Sequence, residues 1–128
     1  MTEYGFRGLL AWQKAMDFVD AVYDFSESFP VSEKYGLTRQ IRKAAISIPS
    51  NIAEGRGRGT TKDYRAFVLR GRGSLYEVET QALIASRRGF ASMERTEQLL
   101  EQSAEACRII NGLINDLTER ASLVSPDR

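Results

Sequence analysis

The stretch Gln40 to Gly55, QIRKAAISIPSNIAEG, decides how the rest of the chain is read. Leu37, Ile41, Ala44, Ala45, Ile48 and Ile52 fall within roughly 100° of one another at helical spacing, as on a helix that buries one side. Pro49 stands inside that helix, with Ser47, Ser50 and Asn51 around it. A proline in a helix interior removes one backbone donor and crowds the preceding turn, at a cost of about 3 kcal/mol. Serine hydroxyls suit such a place because they can bond backbone carbonyls. The segment is therefore read as a helix that continues through Pro49 with a bend, its freed carbonyl met by a side chain or by water. Ile46 and Ala53 lie off the stripe and are unexplained by it. The segment closes at Gly55-Arg-Gly-Arg-Gly59, a break between helices.

Toward the N-terminus, a first helix is expected over residues 9–28. Trp12, Ala15, Met16, Val19, Val22 and Tyr23 form one face, Gln13, Asp17, Asp20 and Asp24 the other, and Phe18 and Phe25 lie at the edge. Phe29-Pro30 ends it, since a residue before proline is pushed out of helical geometry. Ser32 is the expected N-cap of the second helix, over 33–55, with Glu33 in its first turn.

Toward the C-terminus, Thr60 caps a third helix over 61–88, with Asp63 three residues on. Tyr64, Phe67, Val68, Leu75, Val78, Ala82 and Ala85 make its core face. Leu69, Tyr76 and Leu83 recur every seven residues on nearly the opposite side, and a helix with two apolar stripes needs two packing partners. Gly71 and Gly73 each weaken a helix interior by about 1 kcal/mol against alanine. Gly89 stops the helix. Ser92 caps a fourth, over 93–119, whose inner face runs through Thr96, Leu99, Leu100, Ser103, Ala106, Cys107, Ile110, Leu113, Ile114 and Leu117, with Glu94, Glu97, Glu101 and Glu105 outside. The tail 121–128, with Ser125-Pro126, is expected to fray. No strand pattern or long repeat intervenes. Short connections favour antiparallel neighbours, so the expected fold is all-α, one domain over 1–128, an antiparallel up-down-up-down four-helix bundle. Pairing about the Gly55–Thr60 turn sets Ala44 opposite Ser74, Ser47 opposite Gly71, and Arg42 within ion-pair reach of Glu77.

Composition narrows the function. The 128 residues, 42% hydrophobic and 27% charged, suit a single soluble core. No apolar run approaches the roughly 20 residues of a membrane span, and the opening MTEYGFRGLL has no signal-peptide pattern. One cysteine, Cys107, suits a reducing cytoplasm. Histidine is absent, which removes the commonest general base and metal ligand. The net charge of +1 conceals a pattern: residues 1–33 carry 2 basic and 6 acidic side chains, residues 34–88 carry 12 and 4, and residues 89–128 carry 4 and 7. A basic middle lies between acidic flanks.

Few constellations resemble catalytic ones. Gly55-Arg-Gly-Arg-Gly-Thr-Thr-Lys62 lacks the spacing of a phosphate-binding loop and follows a helix rather than a strand. Glu54, Glu77 and Glu79 have no histidine to complete a carboxylate-bridged metal site. Cys107 reads as a small core residue, and Ser47, Ser50 and Ser74 have no histidine base. The expectation is a protein that is not an enzyme and uses no cofactor or metal. What remains is the basic block: Arg39, Arg42, Lys43, Arg56, Arg58, Lys62, Arg65 and Arg72 can hold a phosphate backbone by charge. The same residues can equally form a solvated face or meet acidic helices of another subunit.

These residues also carry a resemblance. Trp12 and Ala15, Phe29-Pro30, Gln40-Ile41-Arg42, Ala44, Ser47 to Gly55, and Gly73-Ser74 with Glu77 resemble a four-helix-bundle family first described from reading frames inside 23S ribosomal RNA intervening sequences. The likeness spans Leu9 to Leu117 and departs at Gly36-Leu37, in a more basic context, and at Gly71, where alanine is more usual and glycine should soften the helix. It implies a left-handed antiparallel bundle that assembles into a ring, five subunits being the expected number. The fold is similar to the accessory protein of diversity-generating retroelements, which partners a reverse transcriptase and nucleic acid; transfer of that role rests on fold alone. The resulting expectation is a cytoplasmic homo-oligomer that binds RNA or DNA through the basic residues, with Ile46, Ala53, Leu69, Tyr76 and Leu83 at the subunit interface. A structural assembly module that recruits a protein partner is the alternative.

Overall fold

The computed structural model describes residues 5–123, which form four α-helices: α1, Leu10–Ser26; α2, Leu37–Arg56; α3, Thr61–Arg87; and α4, Met93–Ser122. Short 3-10 turns, Gly5–Gly8 and Val31–Glu33, precede α1 and α2. The four pack as a bundle, with the α2–α3 hairpin the most intimate pair. Among the described residues no helix is long and apolar enough to cross a membrane. Met1 to Tyr4 and the expected fraying of Ser125-Pro126 lie outside the described residues, whereas Ala121 and Ser122 still belong to α4.

The central segment behaves largely as its spacing requires. Ile41, Ala44, Ala45, Ile48 and Ile52 are buried, Leu37 packs against them, and α2 passes through Pro49, itself buried, without a break. The side-chain bond beside the proline falls on the Ser47 carbonyl. Asn51 Nδ2 donates to the Ser47 carbonyl at 2.8 Å and to Ser47 Oγ at 2.9 Å, rather than to the carbonyl that Pro49 frees at Ala45. Ser47 Oγ continues across the helix pair to Ser74 Oγ at 2.8 Å. A side-chain network thus spans α2 and α3 beside Pro49.

The hairpin register is one turn from the expected one. Ser47 faces Ser74, while Gly71 lies against Ile48 and Asn51. The glycines explain how close the two backbones come. A Cβ added at Gly71 would stand 3.3 Å from the Ile48 carbonyl oxygen, and one at Gly55 would stand 2.7 Å from Phe67 Cβ. Gly71 is thus a contact point rather than a soft spot. The pairs Arg65–Thr118, Arg72–Asn111 and Ser103–Glu79 descend α3 as they climb α4, so those helices run in opposite senses.

Two expectations about caps and faces are corrected. Ser32 does not cap α2; Glu33 does, its Oε1 accepting from the Leu37 N–H at 3.0 Å across Gly36. A Cβ at Gly36 would meet that oxygen at 2.9 Å, so glycine leaves room for the carboxylate. In α1 the buried face is Ala11, Ala15, Phe18, Val22 and Phe25, whereas Met16 and Tyr23 are exposed and Trp12 and Val19 half-buried. The helix is rotated so that both phenylalanines enter the core. Thr60 and Ser92 cap α3 and α4 as read, accepting from Asp63 N and Arg95 N, each at 3.1 Å. Gly89, at φ +77°, follows the end of α3.

The bundle has two unlike ends. At one, Phe29 packs edge-on to Phe25 and tilted against Phe90, closing the core beside the α1–α2 and α3–α4 connections. Arg95 bonds there to the Asp24 carbonyl and Ser28 Oγ, tying α4 to α1. The other end carries the α2–α3 turn, the start of α1 and the end of α4.

Candidate nucleic-acid interface and assembly surfaces

The basic residues of the middle segment do not form one face. Arg42 turns to α1, stacking its guanidinium 4.5 Å from the Tyr23 ring and donating from Nε to Ser26 Oγ at 2.8 Å. The expected ion pair with Glu77 is therefore replaced. Ser26 is buried and its hydroxyl donates to the Val22 carbonyl, so Arg42 completes a partly buried chain of hydrogen bonds. On α3, Arg65 Nε donates to Thr118 Oγ1 at 2.8 Å and Arg72 Nη1 to Asn111 Oδ1 at 2.9 Å, both on α4. These three arginines are straps between helices.

The remaining cations point outward. Arg39, Lys43, Arg56, Arg58 and Lys62 are exposed. Arg58 pairs loosely with Glu54 at 3.7 Å and lies 5.1 Å over the Phe67 ring. Arg70, absent from the sequence-derived set, stacks at 4.5 Å on that ring. Arg56, Arg58 and Lys62 gather around the α2–α3 turn, with Arg70 close by through Phe67; Arg39 and Lys43 stand farther back along α2. The three carboxylates weighed as metal ligands go separate ways: Glu54 to Arg58, Glu79 to Ser103 and Glu77 to solvent.

The five apolar residues expected at an interface divide as well. Ile46, Tyr76 and Leu83 are 43%, 47% and 44% exposed, large values for such side chains. Ala53 is half-buried, and Leu69 packs against the core. Ile46 follows Arg42 by one turn and so shares the α1 side of α2. Tyr76 follows Arg72 by one turn and reaches Cys107 Sγ of α4 at 3.9 Å. The contact with the Cys107 thiol holds the Tyr76 hydroxyl pKa above its ordinary value. The hairpin thus exposes Ile46 on one side and Tyr76 with Leu83 on the other, rather than a single stripe. Ile84, 44% exposed, was not marked by either stripe; with Gly73, Tyr76 and Thr80 it lines a shallow groove that runs to Leu37 and Gln40.

An all-α bundle with a cationic turn and unmated apolar residues on both flanks of its central hairpin defines a class of small helical module. The model of the family described as 23S rRNA-intervening sequence protein matches residues 7–112, and the chain belongs to that family. No curated protein matches the chain.

Proposed function

We propose that this protein is a non-enzymatic, cytoplasmic, self-associating bundle that holds RNA or DNA on its outward cations. The observation that carries the nucleic-acid part is the division of the basic block. Arg42, Arg65 and Arg72 are committed to other helices, yet Arg39, Lys43, Arg56, Arg58, Lys62 and Arg70 remain exposed on the α2–α3 hairpin. Such a set gives affinity for phosphate backbones without reading sequence. Self-association would cover the patches around Ile46 and around Tyr76 and Leu83. Two unlike flanks on one subunit suit a head-to-tail contact, which closes into a ring where the rotation permits, five subunits being the number proposed.

Binding of a fluorescent single-stranded RNA, followed by anisotropy across a salt series, tests the nucleic-acid part. The logarithm of affinity should fall linearly with the logarithm of salt, by about 0.7 per phosphate contact. Lys43→Gln and Lys62→Gln should each make that slope shallower, while Arg72→Gln should leave it unchanged. Affinity that ignores salt, or no binding at all, would favour the second reading, an assembly module that recruits a protein partner. That reading draws support from the acidic outer face of α4, Glu94, Glu97, Glu101 and Glu105, which offers the cations a partner on a neighbouring copy.

A further inference from the structure

At the bundle end that carries the α2–α3 turn, a cavity of about 340 Å³ opens between α2, α3, α4 and the start of α1. Arg56, from the last turn of α2, and Arg120, from the last turn of α4, supply its charge, and Leu9 and Leu113 its apolar wall. Thr60 and Thr61 bring in the beginning of α3. The N–H groups of Thr61 and Lys62 lie in the first turn, where no helical carbonyl is available to them; the Asp63 N–H is already taken by Thr60 Oγ1.

Tyr64 also lines this space and is the second, independent observation. Only 9% of the residue is exposed, and its hydroxyl is buried without a hydrogen-bond partner among the described residues. Buried polar groups in folded proteins are almost always partnered, so an orphan hydroxyl beside two guanidiniums and a helix start marks a place built for something polar. Arg56 and Arg120 line the same cavity as Tyr64, and their charges oppose the upward shift that burial gives its hydroxyl pKa. Asp116 is the opposing charge. It pairs with Arg120 at 2.8 Å, but both partners are half in water, where such a pair is readily exchanged for a stronger anion.

We propose that this end cavity binds a phosphoryl dianion, its oxygens shared among Arg56, Arg120, the Tyr64 hydroxyl and the first N–H groups of α3. Two planar guanidiniums from different helices, a hydroxyl and a helix N-terminus match the several oxygens of a phosphoryl group better than the two of a carboxylate. The volume lies within the range of small-molecule pockets, and Leu9 and Leu113 can flank an attached organic body. Arg56 is shared with the outward cationic set, but Arg120 and Tyr64 take no part in it, so the inference does not depend on RNA binding.

Titration calorimetry of the full chain at constant ionic strength separates the sources of the group, with inorganic phosphate, adenosine 5′-monophosphate and adenosine as probes. Saturable binding of the monophosphate, weaker binding of inorganic phosphate at the same site and none of adenosine is the expected pattern. Equal binding of phosphate and monophosphate would assign the site to the free ion, with the phosphoryl contacts unchanged. Arg120→Gln, an exposed change that does not threaten folding, should weaken the monophosphate at least about tenfold, as loss of a charge-assisted contact does. Tyr64→Phe should weaken it several-fold while leaving the thermal midpoint equal or higher, because the orphan hydroxyl is gone. No saturable heat at low-millimolar ligand, or unchanged affinity in Arg120→Gln, would overturn the proposal. Failure of RNA to bind would leave it intact.

Discussion

Gly55 and Gly73 show how one residue type serves opposite ends within a single hairpin. A methyl group at Gly55 would lie 2.7 Å from Phe67 Cβ and 3.1 Å from the Tyr64 carbonyl oxygen, neither of which can rotate away. Gly55→Ala should therefore destabilise the fold by about 1–3 kcal/mol, as overpacking does. At Gly73 nothing stands within 4 Å of the added carbon. Gly73→Ala should instead raise the stability of the isolated chain by up to about 1 kcal/mol through helix propensity. Urea midpoints of the two variants check both signs together. Tyr64 gives a pH signature at the same scale. Burial raises its pKa above the ordinary value of 10.0, so the folded chain holds this proton more tightly than the unfolded one. The stabilisation is fully present below the unfolded value and is lost as pH rises through the folded one. Thermal midpoints should thus fall more steeply above about pH 10 in the wild type than in Tyr64→Phe. Parallel alkaline limbs would contradict this.

Between helices, the arginines carry more of the structure than their charge suggests. Arg72 fills the acceptor of half-buried Asn111, whose amide in turn donates to Cys107 Sγ at 3.6 Å. Arg72→Leu should cost about 1–2 kcal/mol, while Lys43→Gln, on an exposed position, should stay within about 0.5 kcal/mol. A double-mutant cycle with Asn111→Ala should recover most of the Arg72 effect; strict additivity would show that the strap has no energetic content. This division was not legible in the sequence. Spacing shows where a long side chain begins, and its partner on another helix decides where it ends. Arg42 accordingly looked free for Glu77 but found Tyr23 and Ser26. The stripes of α2 and α3 were legible because small and β-branched residues there alternate cleanly with polar ones. In α1 they were not, since aromatic residues ring most of the helix and periodicity alone cannot choose between Phe18 and Trp12 as the inward side. Thr60 and Ser92 were readable as caps because capping is local, whereas Glu33 caps α2 from outside the helix.

For the molecule as a whole, the buried core accounts for the α2, α3 and α4 stripes and leaves Ile46, Tyr76, Leu83 and Ile84 in water. The sequence carried the seven-residue recurrence of the α3 stripe but not its breakup, because Leu69 folds back on the core and Ile84 joins from another row. Large apolar side chains exposed on both flanks of a hairpin favour association that covers them. We propose that other copies of the chain cover those flanks. Rim charges would orient the contact, and apolar burial would hold it. Light scattering coupled to size-exclusion chromatography at micromolar concentration tests this most directly. The wild type should show a mass of about five times the 14.4 kDa of one chain, and Tyr76→Glu/Leu83→Glu should show one. A wild type of 14.4 kDa, or a double variant that keeps the assembled mass, would contradict self-association through these flanks.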